Sequence, residues 1–393
     1  MVKEDVVIVS ARRTPVGDFG GSFRTVSSLE LGRIAVEAAV RQAGLAPEQI
    51  DEVIFGNCNQ YTDEPNVARC IALSAGMPVE TTGFTIQRQC ASGMQAIVSG
   101  YQEIIFGDTE IVVAGGVESM STAPYLLKEA RWGKRLQHGE MTDSLWEMLM
   151  DPIYKVMMGE TAERLADKYG ITREAQDEIA YRSHINAIAA IDGGRFKEEI
   201  VPVTVKGRKG EKVVDTDEHP RRDISLEGLA GLRPAFRKEG TVTAGNASGL
   251  NDGAAAVVLM TARRAAELGL KPLGKIINYA WAGVEPDLMG YGPVPAIRRA
   301  LQKAGLTLEQ MELIELNEAF AAQYLACEQL LELNREIVNV NGSGIALGHP
   351  VGCTGARIVV SLLYEMARRG LKMGLASLCV GGGMGMALIV ERP

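Results

Sequence analysis

A stretch near the N-terminus, AVEAAVRQAGLAPEQIDEVIF (35–55), returns as AIRRALQKAGLTLEQMELIEL (296–316), with Gly44 answering to Gly305 at a constant offset of 261 residues. A second pair keeps the same order, SGMQAIVSGYQE (92–103) with TGARIVVSLLYE (354–365), each helix-like and each followed by a strand and a glycine cluster, IVVAGGVES and ASLCVGGGMG. SSLELGRIAVEAAVRQAGL reads as an amphipathic helix, with Ser27 and Glu30 at capping-box spacing and Gly44 as its stop; IDEVIFGN then reads as a buried strand. Two ordered blocks of this kind predict two copies of one α/β domain, packed so that matching strand ends meet at their interface. The middle of the chain differs. It carries Trp132 and Trp146, helices around 159–169 and 173–192, and a hairpin-like VPVTVKGRKGEKVVDTDE, and it reads as one long insertion in the first copy. The expected division is 1–120 with 251–271, an inserted 121–250, and 272–393.

The chain of 393 residues has room for two or three such units. Its net charge of −8 is spread along the sequence and no basic domain emerges, which argues against a nucleic-acid partner. No apolar run approaches the roughly 20 residues of a membrane span. The start MVKEDVVIVSARRTP lacks the pattern of a signal peptide, so a cytoplasmic protein is expected. The six cysteines, at 58, 70, 90, 327, 353 and 379, show no C-x-x-C and no cysteine–histidine cluster. Neither a disulfide framework nor a metal site is expected, and any thiol chemistry would use free thiols.

In FTIQRQCASGMQAIVSGYQEIIF (84–106) a strand leads to Cys90 and a helix begins at once behind it. Such a cysteine is either a small packed residue or a nucleophile, since a helix N-terminus favours thiolate and can bring its pKa toward neutrality. Ala91, Ser92 and Gly93 leave space beside it. A base must come from four histidines, His138, His184, His219 and His349. Only His349 is framed by a tight glycine and proline turn, Gly348, Pro350 and Gly352, ahead of a helix, and an imidazole of pKa about 6.5 suits a thiol's proton. The glycines are not a phosphate loop, because neither G-K-[ST] nor a spaced G-x-G-x-x-G is present. Cys379 ends the strand MGLASLC and opens VGGGMG, either as packing or as a second, proton-moving thiol. Asn317, in LIELNEAFAAQY, ends the repeated strand where the first copy has Gly56; it either holds a water or a carbonyl oxygen, or caps a helix. Cys58, Cys70, Cys327 and Cys353 read as structural.

Taken together and in order, QCASGMQ, GTVTAGNASGLNDGAAA, NEAFAAQ, GHPVGCTGAR and CVGGGMG closely resemble the thiolases, the acetyl-CoA acyltransferases, and the similarity runs from IVSARRTPVG to the final strand. The resemblance implies an α/β thiolase fold: duplicated βαβαβαββ-type halves in five layers, αβαβα, with a loop domain inserted in the first. It implies acylation of Cys90 with His349 as its base, and Cys379 exchanging a proton with the substrate α-carbon. Asn317 with His349 would form one oxyanion hole through a water, and the N–H groups of Cys90 and Gly381 the other. Coenzyme A thioesters would be substrates with no further cofactor. Arg221 would lie near the adenine, Ser248 on the pantetheine arm, and Met158, Ala319 and Phe320 along the channel. Lys206, Arg208, Lys209, Arg221 and Arg222 form a basic cluster that either meets phosphates or is solvated. The segment 121–142 would correspond to the tetramerisation loop of a homotetramer built as a dimer of dimers.

One departure bears on substrate. Where acetoacetyl-CoA-specific members have His-Met-Gly, this chain has Met157–Met158–Gly159, closer to degradative members, while LRPAFRKEGTVTAGNASGLNDGAAA is closer to the biosynthetic group. Acetyl-CoA C-acetyltransferase activity and a 3-ketoacyl-CoA thiolase of β-oxidation with broader chain length both remain open. A ketosynthase relative is disfavoured by Asn317 and Cys379, and a non-catalytic acyl-CoA-binding protein by the presence of every reactive group.

Overall fold

The computed structural model describes residues 4–207 and 210–393; Arg208 and Lys209 of the basic cluster lie outside the described residues. The first half contains β1 (Val6–Arg13), β2 (Gly17–Asp18), α1 (Ser28–Gln42), β3 (Glu52–Gly56), α2 (Val67–Ser74), β4 (Thr82–Ile86), α3 (Ser92–Phe106) and β5 (Ile111–Ser119). Then come a small ribbon, β6 (Tyr125–Leu126) with β7 (Thr142–Asp143), the helices α4 (Ser144–Met148), α5 (Met158–Tyr169) and α6 (Arg173–Asp192), the hairpin β8 (Val203–Gly207) and β9 (Gly210–Val214), and α7 (Leu226–Ala230). The chain returns to the main sheet with β10 (Asn251–Thr261) and α8 (Ala262–Glu267). The second half follows as β11 (Gly274–Gly283), α9 (Pro293–Ala304), β12 (Leu313–Leu316), α10 (Ala321–Leu331), α11 (Gly344–Leu347), α12 (Val351–Arg369), β13 (Met373–Val380) and β14 (Met384–Glu391).

The repeat is realised turn by turn. Ser27 caps α1 by accepting the Glu30 N–H at 3.3 Å, and α1 and α9 both stop at a left-handed glycine, Gly44 and Gly305, each at φ +67°. A 3₁₀ turn follows in each copy. The repeated glutamine closes it by taking a backbone N–H at 2.8 Å, Gln49 from Ala46 and Gln310 from Thr307. Identity at that position therefore has a local cause, since each copy must aim the next strand, β3 or β12, into its sheet in the same way.

The strands run in the order β12-β13-β14-β11-β1-β10-β5-β3-β4, with β2 beside β10. β3 lies parallel to β4 and β5, and β12 parallel to β13, while β10 and β14 run antiparallel to their neighbours. The two halves join edge to edge through a short pairing, Val7 with Lys275 and Ile8 with Gly274. Three apolar layers result. α1 and α2 cover one outer face around Leu31, Phe55 and Ile71; α3 and α12 lie between the halves with Met94, Ile97, Ile358 and Leu362; α9 and α10 cover the other outer face around Ile297, Leu316 and Leu325. This is the five-layered αβαβα arrangement.

A buried ionic cluster ties the segment after β5 to both halves. Arg13 on β1 meets Glu199 at 2.6 Å and Asp217 at 2.7 Å and 2.9 Å, and Ser361 on α12 donates to Glu199 at 3.0 Å. Two carboxylates on one guanidinium hold its charge despite complete burial.

The central helices touch through their backbones. A Cβ on Gly93 of α3 would lie 2.9 Å from the Ala356 nitrogen and the Gly352 oxygen, and one on Gly355 of α12 would lie 2.6 Å from the Met94 nitrogen. Gly93 and Gly355 occupy matching places in the repeat, so each copy presents the same small residue to the other. Gly355→Val should force the helices apart, lowering stability by about 1–3 kcal/mol in urea unfolding and suppressing turnover. An unchanged midpoint and rate would show that this close approach is dispensable.

Candidate active site

β4 delivers the chain to a tight elbow. Gln89 sits at φ +44°, a left-handed conformation that costs a residue with a Cβ of order 1–3 kcal/mol. Ser92 holds the turn, its hydroxyl accepting the Arg88 N–H at 2.8 Å and donating to the Gln89 carbonyl at 2.6 Å. Cys90 follows directly, half-buried, ahead of a helix whose N-cap, Ala91, makes no side-chain hydrogen bond. The Cys90 sulfur lies within reach of two backbone N–H groups, that of Gly381 and its own. These donors favour thiolate, yet burial outweighs them and, with a smaller push from the Glu118 charge, raises the thiol to about 11. The expectation that the helix terminus alone would bring Cys90 toward neutrality is thus corrected: desolvation dominates, and the resting group is a thiol that needs a base.

His349 lies on the turn before α12 and is buried. Gly348 adopts φ +92°, and a Cβ there would come 2.5 Å from the Asn251 side-chain carbon, so glycine is required on both counts. The Thr354 hydroxyl donates to the Pro350 carbonyl at 2.9 Å, so its oxygen is left to accept Nδ1–H of His349 at 2.6 Å. That tautomer puts the lone pair on Nε2. Burial, then the charge of Arg357, pushes the imidazole down to about 3, which keeps it neutral and able to take a proton. Arg357 itself is fully buried, 3.9 Å from Glu315 and without a hydrogen-bond partner among the described residues.

Cys379 ends β13, fully buried, with its thiol pushed far up by desolvation and next by the nearby Cys90 sulfur. Asn317 follows β12, and its backbone N–H bonds to Ser377 at 2.9 Å. It caps no helix, since α10 begins at Ala321 with Phe320 in the capping position. Its amide oxygen and nitrogen are both buried without partners among the described residues, an arrangement that favours a polar ligand. Cys379 and the Gly381 N–H therefore lie close to the Cys90 sulfur, and the turn after His349 packs on the start of α3 through the Gly93–Gly352 contact. Glu118, at the end of β5, was not singled out from the sequence. Its carboxylate accepts the N–H groups of Cys58 at 3.0 Å, Asn59 at 3.0 Å and Gly352 at 2.9 Å, locking the first half onto the start of α12. Asn251 and Thr354 were missed as well; only the Gly348 turn hinted that something packs against it.

Of the remaining expected residues, Arg221 and Met158 line two different cavities. Arg221 lines one of about 170 Å³ together with His184, His219 and Leu229, and its N–H donates to His184 Nδ1 at 3.1 Å. The two histidines were set aside on sequence grounds, having no glycine framing, yet the fold brings them here. Met158 and Gly381 line another of about 370 Å³ with Gln89, Met148 and Met384. Ser248 donates its N–H to Ala319 at 2.9 Å, and Ala247, which lines the first cavity, bridges to Phe320. Arg222 pairs instead with Asp192 at 2.7 Å, and Lys206 lies on β8.

With the thiol raised and the imidazole lowered, alkylation of Cys90 by iodoacetamide in the resting protein should climb with pH well past 8, without the low-pH plateau of a thiolate–imidazolium pair. Rates measured from pH 5 to 10 check this, and a plateau below pH 7 would contradict it.

Residues 6–263 match the family model for the thiolase N-terminal domain and residues 270–392 that for the thiolase C-terminal domain. An acetyl-CoA acetyltransferase of Syntrophomonas wolfei is 54% identical over 98% of this chain and 99% of its own length. The crystal structure of the Bacillus anthracis acetyl-CoA acetyltransferase superposes with a TM-score of 0.98 at 58% identity, covering 100% of this chain and 99% of that one. Human mitochondrial 3-ketoacyl-CoA thiolase in complex with CoA superposes with a TM-score of 0.96 at 44% identity, covering 100% and 99%. A duplicated five-layer fold, a paired-sulfur site at its centre and these matches along the full length lead to one conclusion: the chain belongs to the thiolase family.

Proposed function

We propose that the protein is an acetyl-CoA C-acetyltransferase that interconverts acetoacetyl-CoA plus CoA with two acetyl-CoA by ping-pong transfer through a thioester on Cys90. The observation that carries this reading is that the Gly381 N–H, from the second half, lies within reach of the Cys90 sulfur beside Cys90's own N–H. Donors so placed meet the oxygen of an acyl group on that sulfur, and one such donor is worth about 3 kcal/mol in a transition state.

In the cleavage direction His349 takes the Cys90 proton as sulfur attacks the 3-keto carbon. The C2–C3 bond breaks and Cys379 protonates C2 of the departing acetyl-CoA enolate. CoA then attacks the acyl-cysteine; its thiol proton restores Cys379 and the imidazolium restores Cys90. Condensation runs the same steps backwards. Asn317, whose amide has free donor and acceptor capacity among the described residues, would hold a water facing an enolate oxygen together with His349.

The segment 121–250 would carry CoA, with Arg221 at the nucleotide end, Ser248, Ala319 and Phe320 along the arm, and Met158 near the acyl end. Its part in assembly has support in a run of exposed apolar side chains, Tyr125, Leu127, Trp132, Leu136 and Met141, with Trp132 92% exposed. A homotetramer, acting in the cytoplasm with CoA thioesters and no other cofactor, is the expected form; six free cysteines fit a reducing compartment. A second reading, broader chain length, is favoured by the cavity of about 370 Å³ beside Gly381, lined by Met148, Met158 and Met384, whose flexible side chains adapt to different occupants.

Loss of acetoacetyl-CoA absorbance on adding CoA tests the activity, and the same assay with 3-ketohexanoyl- and 3-ketodecanoyl-CoA decides chain length; no turnover on any of them rejects the proposal. Cys379→Ala should still acquire labelled acetyl from acetyl-CoA yet form no carbon–carbon bond, whereas normal condensation would remove Cys379 from its role. Trp132→Glu should shift light-scattering mass from tetramer to dimer, and an unchanged mass would place the assembly surface elsewhere.

A further inference from the structure

Asn251 begins β10, fully buried, at the point where the inserted segment returns to the sheet. Each polar group of its side chain is engaged. The oxygen accepts the His349 backbone N–H at 2.9 Å, and the nitrogen donates to the Gly17 carbonyl at 3.2 Å and to Asp18 Oδ1 at 3.3 Å. Its carbon would meet any Cβ on Gly348 at 2.5 Å, so the amide also packs flat against the turn that carries the imidazole. Thr354 holds the His349 ring through Nδ1, but no side chain close in sequence caps the turn's backbone. His349 precedes α12, whose N-cap residue, Pro350, makes no side-chain hydrogen bond.

The chain of contacts continues outward. Asp18 Oδ1 also bonds to His219 Nδ1, and His219 lines the cavity shared with Arg221. The ring is wedged in place, because a Cβ on Gly249 would lie 2.5 Å from its Cε1. One continuous line of polar contacts therefore runs from the cavity wall through His219, Asp18 and Asn251 to the backbone of His349.

We propose that Asn251 is the positioning residue for His349, fixing the imidazole from across the joint between the two halves, with Asp18 and His219 as the outer links that tie this alignment to the CoA cavity. The inference rests on His349 being the base. Asn251 touches no reacting atom; it acts by holding the His349 backbone on one side while being held on the other by Gly17 and Asp18. Its loss should therefore change kcat and leave ground-state binding nearly untouched, since a misplacement of about 1 Å can cost on the order of 10²-fold in rate.

The test is a set of variants assayed by acetoacetyl-CoA thiolysis, with thermal midpoints recorded for each. Asn251→Ala should lower kcat by about 10²-fold with KM little changed. Asn251→Asp keeps the acceptor for His349 but sets a carboxylate against Asp18, and should be impaired likewise. Adding Asp18→Asn supplies a donor in place of the repelling carboxylate, and the double variant N251D/D18N should recover part of kcat, the Gly17 carbonyl still facing an acceptor. Should Asn251→Ala not fold, the comparison of N251D with N251D/D18N decides, and equal kcat values in the two overturn the proposal. A normal kcat in Asn251→Ala, beside an impaired His349→Ala, overturns the positioning role and leaves the base assignment standing. Normal turnover by His349→Ala instead removes the base assignment itself.

Discussion

The backbone contact between α3 and α12 is the constraint from which the site follows. Gly93 and Gly355, at equivalent places in the two copies, let the helices approach until backbone atoms of one lie 2.6–2.9 Å from where a β-carbon of the other would be. That separation brings together the starts of both helices, with Cys90 just before one and His349 just before the other. Glu118 closes the joint by gathering N–H groups from both halves. The interface between the two copies is packed backbone to backbone at these glycines.

Burial sets the electrostatics of this chamber. It raises Cys90 and Cys379 and lowers His349, so that all three are neutral at rest. A neutral site admits an apolar acyl chain without first breaking an ion pair, and charge develops only as bonds change. Under the proposed mechanism the donors that would meet that charge, backbone N–H groups and the Asn317 amide, are dipoles fixed in place by strand and helix ends. They need little rearrangement when the charge appears.

Much of this was legible in the chain. The repeat announced two halves, the punctuating glycines gave the helix ends, and the glycine frame marked His349 among four histidines. Local geometry was enough there, because turns and caps depend on residues close in sequence. Glu118, Asn251 and Thr354 left no such mark. Each acts through a partner whose approach depends on packing; Asn251 reaches His349 across 98 positions and Glu118 reaches Gly352 across 234. His184 and His219 were passed over for the same reason, and reach a cavity wall only because the inserted segment folds back on β2 and β10.

Sequence alone determined the fold class, and it nominated two thiols and an imidazole as the groups to look for. Tertiary structure decided which groups meet and in what protonation state. A thiol's tendency to ionise is a balance between desolvation and nearby dipoles. The helix terminus beside Cys90 is written in its neighbours, while the burial that overrides it exists only once the chain has folded.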